Sequence, residues 1–314
     1  MIDSALFQKM ISALPKTTLL KFTRHGDRAF FRDADSDYSP TLFYYAAPDG
    51  KCYISVEVSL PKILFGNNVQ MLGKTELTAA LHAVGEFASR HFGVAFDPFT
   101  ANVGRVDFCH NFAVGEDRIY AYLQAASEAE PAFLKRRIIG KIETVEFFNK
   151  SRKVYCYDKL RETERQFSKG KISGEAVEAA RGILRLEARY NTSEAIKRLC
   201  SSQLSLPDRQ ARSLLNFEAA ESVLTAALES LNLHEPVVMR DCRIEKLRQV
   251  YGYGSRLQRL VGFLQLCDVY GGDKLITLGV MKPSAYYKHR KEIRDAGALI
   301  FSSFHSLLPA LSVR

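Results

Sequence analysis

Three short segments of the chain alternate apolar and polar residues, and this alternation constrains the fold most. They are 51–59, 102–110 and 182–190; in the first, Ile54, Val56 and Val58 alternate with Tyr53, Ser55 and Glu57. Successive side chains of a β-strand point to opposite faces, so each segment predicts a strand with one apolar and one polar face. Such strands form a sheet that buries one face and leaves the other for polar side chains.

Other segments of the sequence predict the hairpins and helices that connect these strands. A Pro48-Asp49-Gly50 turn joins the β-rich runs 42–47 and 51–59, which predicts a hairpin. The runs 143–149 and 152–160 predict a second hairpin, and apolar residues at helical spacing predict helices over 75–92 and 116–130. The sequence therefore predicts an α+β fold, with a mostly antiparallel sheet and helices on one face.

The pattern changes near Leu206-Pro207-Asp208, where strand signals give way to leucine-rich helical ones. We expect one domain over 1–205 and a helical C-terminal domain over 206–314. The second ends in a pattern typical of a helix-turn-helix, with Ser284 expected to cap the last helix and Gly297 to end it.

The charge of the chain favours a polyanionic partner. The formal net charge is +9, and residues 135–171 contain twelve Lys/Arg against five Asp/Glu. The residues expected to contact nucleic acid are Lys150, Arg152, Lys153, Lys288, Arg290, Lys291 and Arg294. A solvated basic surface that binds nothing is the alternative interpretation.

Neither cysteine spacing nor hydropathy indicates secretion or a membrane. The six cysteines are scattered without a CxxC pair, and no stretch approaches about 18 consecutive apolar residues. The N-terminus lacks a signal-peptide pattern. We expect a cytoplasmic protein without a structural zinc site.

The polar sides of the predicted strands carry a set of residues suited to phosphodiester chemistry. They are Glu57, Asp107, Glu187, Tyr155, Tyr157 and Lys159, the last three at alternate positions of one strand. A tyrosine can form a covalent phosphodiester intermediate, and carboxylate oxygens suit Mg²⁺ or Mn²⁺. Lys159, Arg105 or Arg185 could offset charge on the phosphate.

Each of these residues also has an ordinary structural explanation. Arginines two positions away, as in 105–107 and 185–189, can pair with the carboxylates, and a strand tyrosine usually packs. The convergence of three carboxylates on one face favours a site, because like charges held together need a compensating cation. No pair of histidines has close ligand spacing; only His110 lies near the expected site.

Four motifs in order, VEVSLPKILFGNNV, GRVDFCHNFAV, ETVEFFNKSRKVYCYDKLRE and GILRLEARY, resemble the gene II replication initiator family of filamentous phages. The similarity extends to RLVGFLQLCDVYGG and VMKPSAYYKHRKEIRDAGAL near the C-terminus. The R-x-D, Y-x-K-x-x-E and R-x-E elements are more distantly similar to plasmid initiators of the Rep_trans type.

The resemblance implies a rolling-circle initiator that nicks one strand of a double-stranded origin, stays bound to the 5′ end through tyrosine and later rejoins the strand. It implies Tyr157 as nucleophile with Lys159 as its lysine. It implies Glu57, Asp107 and Glu187 as metal ligands, with Glu162 a fourth candidate carboxylate. Tyr155 lies on the same face, so a scheme with two tyrosines stays open.

The implied partners are double-stranded origin DNA and single-stranded DNA, with a host helicase as a further candidate, in the cytoplasm of a bacterial host. Domain 1–205 would then nick and transfer DNA, and 206–314 would bind DNA or be accessory. Two alternatives stay open: a non-catalytic origin-binding regulator, and a hydrolytic metal nuclease that forms no covalent adduct.

Overall fold

The computed structural model describes residues 1–25, 28–33, 38–235, 237–238, 240–270, 272–298 and 307–313. The strands in this part of the chain are β1 (Ile2–Ile11), β2 (Thr23–His25), β3 (Arg28–Phe31), β4 (Thr41–Ala46), β5 (Cys52–Ser59), β6 (Asn102–Ala113), β7 (Lys135–Ile139), β8 (Thr144–Phe148), β9 (Arg152–Asp158), β10 (Ile183–Tyr190), β11 (Val237–Val238) and β12 (Leu307–Leu308). The helices are α1 (Lys16–Leu19), α2 (Leu60–Phe65), α3 (Lys74–Phe92), α4 (Glu116–Ser127), α5 (Lys159–Phe167), α6 (Gly174–Ala179), α7 (Ser193–Arg198), α8 (Ala211–Leu214), α9 (Phe217–Ser230), α10 (Arg240–Tyr251), α11 (Ser255–Tyr270), α12 (Gly272–Thr277) and α13 (Pro283–Asp295). A π-helical turn, Leu199–Gln203, continues α7.

Ten strands form one antiparallel sheet in the order β2-β3-β4-β5-β1-β6-β10-β9-β8-β7. The predicted α+β class with a mostly antiparallel sheet and a helical C-terminal region is confirmed. The first strand of the chain, β1, lies between β5 and β6 and so joins the two halves of the sheet.

The two faces of the sheet differ as the alternation predicts. Ile54 and Val56 on β5, Phe108 on β6 and Leu184 and Leu186 on β10 are fully buried on the apolar face. Burial of each such side chain contributes about 1.5–3 kcal/mol to folding. This burial fixes the register, because a slip of one residue would turn the apolar side chains to the other face.

Both predicted hairpins are present. β4 pairs with β5 across a turn in which Gly50 has a φ of 81°, a conformation that glycine adopts without strain. β8 pairs with β9, and the Asn149 side chain accepts hydrogen bonds from the backbone N–H groups of Ser151 and Arg152 in the turn. The second hairpin therefore has a turn stabilised by its own asparagine.

The prediction that the strand 152–160 contains Lys159 is wrong. β9 ends at Asp158, whose carboxylate accepts a hydrogen bond from the Leu160 backbone N–H at 3.0 Å and caps helix α5. Lys159 is the first residue of that helix. The alternate spacing of Tyr155, Tyr157 and Lys159 is therefore not a spacing along one strand.

The part of the chain that the structure describes divides into two compact units. One comprises Met1–Ile119, Pro131–Ala227 and Val313–Arg314, and the other Tyr120–Glu130 and Leu228–Ser312. The first contains the ten-stranded sheet. The functional division into 1–205 and 206–314 stays a prediction.

The second unit contains the predicted C-terminal pair of helices, α12 and α13. Leu260 and Phe263 of α11, Leu275 of α12 and Tyr286 and Ile293 of α13 belong to one buried cluster. The last helix begins with Pro283 in its first turn and Lys282 as N-cap, so the expected cap at Ser284 is wrong. Gly297, with a φ of 67°, follows its end as predicted. None of the helices in the described ranges is long and apolar enough to span a membrane.

Candidate active site

The polar face of the sheet holds a chain of alternating charges across β5, β1, β6 and β10. Glu57 on β5 and Arg105 on β6 are both opposite Leu6 of β1, and the carboxylate of Glu57 lies 2.6 Å from Nη1 of Arg105. Arg105 Nε lies 3.6 Å from Asp107 Oδ1. On the far side, Arg189 Nη2 lies 2.7 Å from Asp107 Oδ2. Two arginines thus neutralise the two carboxylates.

Asp107 is the buried centre of this chain. Its side chain is inaccessible to solvent, and Ser4 Oγ donates a hydrogen bond to its Oδ2 at 2.6 Å. Burial raises the pKa of the Asp107 carboxyl, although Arg189, Arg105 and the Ser4 hydroxyl oppose that shift. Its Oδ1 accepts no hydrogen bond from the described residues.

Tyr157 belongs to a second group, next to the first on the same face. Its hydroxyl donates a hydrogen bond of 2.6 Å to Oε1 of Glu187, and the same oxygen accepts a bond of 2.9 Å from Nε of Arg185. Burial, followed by the nearby charge of Glu187, raises the pKa of Tyr157 well above its ordinary value. Burial also raises the pKa of the Glu187 carboxyl, against the opposing effect of Arg185. The phenol is therefore protonated at neutral pH, with a carboxylate in place to accept its proton.

Arg185 anchors this second group. Its side chain is 1% exposed, and Nη2 lies 3.3 Å from Oδ2 of Asp3, which occupies an irregularity in the β1–β6 pairing. Its Nη1 donates to the backbone oxygen of Asn68 at 2.7 Å and to Asn111 Oδ1 at 3.3 Å. Nε and Nη1 thus donate hydrogen bonds to protein oxygens, while Nη2 makes an ion pair with Asp3 but no hydrogen bond among the described residues. In this arrangement Arg185 holds Glu187 in place.

The segment 66–72 lies over the second group, which consists of Tyr157, Glu187 and Arg185. Lys159 Nζ donates to Asn68 Oδ1 at 3.0 Å and to Glu162 Oε2 at 2.8 Å, and it lies 6.0 Å from the centre of the Tyr157 ring. Asn111 Nδ2 donates to the Val69 backbone oxygen at 2.8 Å. As a result Tyr157 is only 8% exposed and Lys159 is fully buried. Burial and the Arg185 charge lower the pKa of Lys159.

Tyr155 is more accessible than Tyr157. It is half-buried and directly opposite Glu187 on β10 and Glu146 on β8. Its ring centre lies 5.5 Å from the Arg189 guanidinium and 5.7 Å from Lys153 Nζ. The ring thus lies near two cations, an arrangement that stabilises a cation by interaction with the aromatic face.

The predicted metal ligands are not arranged as a metal centre. No group of three or more His, Cys, Asp or Glu side chains in the described ranges is placed to hold an ion. Glu57, Asp107 and Glu187 each contact an arginine instead, so guanidinium groups supply the charge compensation. As they lie, these residues do not fit a divalent cation.

The predicted DNA contacts differ in their surroundings. In the β8–β9 hairpin, Lys150 is exposed and Arg152 half-buried, whereas Lys153 pairs with the buried Glu146 at 3.2 Å.

On α13, in the second unit, Lys288, Lys291 and Arg294 are exposed, while Arg290 pairs with Glu130 and donates to the backbone oxygen of Glu128. Three of the four predicted cations of α13 therefore face solvent.

Several residues that contact the site were not predicted from the sequence. They are Asp3, Ser4, Asn68, Asn111 and Glu146. Strand β1 carried only a weak signal, since the apolar Leu6 between Ala5 and Phe7 interrupts the alternation with polar residues. Asn68 has no local signal, because it lies in a segment without regular structure.

A family model described as the N-terminal region of the gene II "replication-associated protein" of phages matches residues 31–207. This match covers more than half of the chain and includes every residue of the predicted catalytic and metal-binding sets. The chain belongs to this family of phage replication-associated proteins, as the motifs predicted. No curated protein and no solved structure is significantly similar to it.

Proposed function

We propose that the protein initiates rolling-circle replication by nicking one origin strand through a covalent 5′-phosphotyrosine on Tyr157 and later rejoining that strand. The observation that carries this proposal is the 2.6 Å hydrogen bond from the Tyr157 hydroxyl to Glu187, inside the segment that matches the replication family. A phenol with an adjacent carboxylate is the pairing that a nucleophile and its general base require.

In the proposed step, Tyr157 Oη attacks the phosphorus of the scissile phosphodiester. The P–Oη bond forms and the P–O3′ bond breaks, while the phenol proton passes to Glu187 and the 3′ oxygen takes a proton from solvent. The product is a 5′-phosphotyrosine ester and a free 3′-hydroxyl. Since a phosphodiester is exchanged for another, attack by a 3′-hydroxyl reverses the step and rejoins DNA without an external energy source.

The surrounding residues have roles that follow from their contacts. Arg185 holds the Glu187 carboxylate toward the phenol, and Lys159 carries positive charge beside the ring. We propose that Lys159 and Arg185 also offset charge that develops on the phosphate. Tyr155, two residues from Tyr157 on the same strand, is the candidate for a second attack.

Access to Tyr157 requires movement of the segment 66–72. The phenol is 8% exposed, and Asn68 bonds to both Lys159 and Arg185 above it. We propose that DNA displaces this segment and replaces the contacts of Asn68 with those of a phosphate.

Adduct formation tests the proposal directly. The protein is incubated with labelled single-stranded oligonucleotides that tile the DNA flanking its gene, and denaturing gels then show whether a protein–DNA adduct forms. A discrete adduct on one oligonucleotide supports the proposal. Cleavage without an adduct on any of them indicates hydrolysis and contradicts it.

Dependence on Mg²⁺ or Mn²⁺ stays a proposal, and it requires the carboxylates to exchange their arginine partners for the ion. We expect that chelation abolishes the adduct and that either ion restores it, because a divalent cation polarises phosphate oxygens. The measurement is adduct yield across a titration of each ion after treatment with a chelator. Undiminished adduct in excess chelator would show that the chemistry needs no metal, while leaving the tyrosine assignment intact.

The exposed cations of α13 should strengthen binding to duplex DNA. We expect the triple variant Lys288→Gln, Lys291→Gln, Arg294→Gln to bind duplex more weakly. The slope of log K against log salt is negative, and each lost phosphate contact reduces its magnitude by about 0.9, so three lost contacts reduce it by about 2.7. Fluorescence anisotropy with labelled duplex at several salt concentrations measures this slope.

A matched variant tests whether position or net charge matters. Lys16, Lys21 and Lys197 are also exposed, so their replacement by Gln removes the same charge elsewhere. Equal loss of affinity in the two triple variants would mean that α13 has no special role.

A second candidate function is a non-catalytic DNA-binding regulator. It is favoured by the pairing of all three carboxylates with arginines and by the burial of Tyr157. Such a protein would bind DNA equally with and without metal and would form no adduct with any oligonucleotide. For either function we propose the bacterial host cytoplasm as the location, with a host helicase as a partner of the initiator.

A further inference from the structure

An open cleft of about 400 Å³ lies on the polar face at the end of β4, β5 and β1 away from Tyr157. Its lining includes the aromatic side chains Phe43, Tyr45 and Tyr53, the sulfur-containing Met10 and the arginines Arg28 and Arg209. None of these residues belongs to the site described above. The mixture of rings and guanidinium groups needs an explanation.

The lining residues form a row that crosses four strands. Arg28 is directly opposite Tyr45, Tyr45 is opposite Tyr53, and Tyr53 is opposite Met10. Because directly paired residues of a sheet share a face, all four side chains project to the same side. The row is therefore a continuous surface with a cation at one end and a flexible apolar side chain at the other.

The two tyrosine rings are stacked beside each other, and both line the cleft. Their centroids are 6.4 Å apart and their planes differ by 24°. Both rings are half-buried, and Met10 is 60% exposed. Apolar groups in a sheet are normally covered, so a partly exposed aromatic row indicates a binding surface.

The cleft continues into the candidate active site. Glu57 lines one side of it and bonds to Arg105, which also approaches Asp107. Tyr53 and Tyr157 lie on strands four places apart, about 19 Å across the sheet at about 4.8 Å per strand. They are also displaced along the strands, since Tyr53 is opposite Met10 at one end of β1 and Tyr157 lies toward the Ile2 end. One extended polymer on this face could contact both places.

We propose that this cleft binds unpaired bases of single-stranded DNA by stacking them on Tyr45 and Tyr53. The inference rests on the proposed nicking function and specifies how that site would hold its strand. Bases of any sequence can stack on aromatic rings, while basic side chains contact the phosphates. Arg28 and Arg209 supply that charge, and Arg209 is fixed at the edge of the cleft by a 2.8 Å bond to the Val103 backbone oxygen.

Single-stranded DNA fits this surface better than a duplex does. A duplex presents its phosphates and groove edges outward and keeps its base faces stacked inside, where the tyrosines cannot reach them. The rings can therefore stack on unpaired bases but not on the bases of a duplex. The strand that leaves an opened origin has such bases.

The test uses a labelled (dT)₁₂ oligonucleotide, an abasic oligonucleotide of equal length and a duplex, measured by anisotropy. We expect Tyr45→Leu and Tyr53→Leu each to weaken (dT)₁₂ binding about 5- to 150-fold, the effect of one lost base stack. Binding of the abasic strand and of duplex should change little. Tyr45→Phe and Tyr53→Phe keep the ring and should bind as the parent does, and Tyr120→Leu, at an exposed tyrosine of α4, serves as the matched control.

Photocrosslinking of the unaltered protein to (dT)₁₂ containing 5-iodouracil gives a readout that needs no variant. Crosslinks at Tyr45 or Tyr53 are expected, and crosslinks at other residues alone would overturn the proposal. Three other results would also overturn it. They are (dT)₁₂ binding that the Leu variants do not weaken, equal affinity for the abasic strand, and self-association of the protein that the Leu variants abolish.

The adduct assay and the binding assay distinguish the two proposals. Base-dependent binding without an adduct would reject the nicking function but not the DNA-binding role of the cleft, whereas an adduct without base-dependent binding would reject only the role of the cleft.

Discussion

Tyr157→Phe should abolish the covalent protein–DNA adduct, whereas Tyr155→Phe should retain it. The variant removes only the hydroxyl that bonds to Glu187, so the nucleophilic atom is lost while the ring keeps its packing. Adduct yield on denaturing gels, with the reactive oligonucleotide in excess, is the measurement. If both variants keep the adduct, or only Tyr155→Phe loses it, Tyr157 is not the nucleophile.

Glu187→Gln provides the companion variant for this prediction. An amide of nearly the same shape cannot accept the phenol proton as a base, so the rate of adduct formation should fall by about 10²- to 10⁴-fold. Circular dichroism melting and (dT)₁₂ binding confirm that each variant is folded and still binds DNA. An unchanged rate would remove Glu187 from the role of general base.

Arg185→Met should destabilise the first unit strongly. The guanidinium is buried and contacts both Glu187 and Asp3, so its loss leaves two carboxylates without their cation. Breaking a buried ion pair by removing one partner costs about 3–5 kcal/mol. Urea denaturation of the variant and the parent measures the difference in the free energy of unfolding.

Three further measurements identify the physical cause of this loss of stability. Arg181→Met removes an exposed arginine that pairs with Glu178 at the surface, and it should change stability little. Adding Glu187→Gln to Arg185→Met should restore part of the loss, because one uncompensated charge disappears. Without Arg185 the pKa of Glu187 rises further, so the deficit should shrink as pH falls and the carboxyl is protonated. A deficit that is independent of pH would mean that lost packing, not charge, destabilises the variant.

The alternation of apolar and polar residues was enough to predict the faces of β5, β6 and β10. A period of two depends only on local geometry and on burial of one face, and both are encoded in short segments. It follows that Glu57, Asp107 and Glu187 could be assigned to the polar face from the sequence. Their arginine partners were also visible, at Arg105, Arg185 and Arg189.

Contacts between distant segments could not be predicted in this way. Asn68 reaches Lys159 and Arg185 because the segment 66–72 crosses the sheet, and nothing within that segment encodes its path. The end of β9 was misplaced because Lys159 fits both a strand and a helix start. Lys159 begins a helix because the Asp158 carboxylate caps that helix through one hydrogen bond. The spacing of apolar and polar residues carries no information about such a bond.

The central position of β1 has a consequence for the order in which the protein can assemble. This strand is synthesised before both of its partners. Ser4 can pair with Ser59 only after β5 has been made, and it can bond to Asp107, which lies 103 residues after Ser4, only after β6 has been made. Contacts so remote along the chain slow folding. Glu57 and Asp107 therefore come together only after β6, the second partner strand of β1, has been synthesised. The cluster that these two carboxylates form with Arg105 is thus completed late in folding.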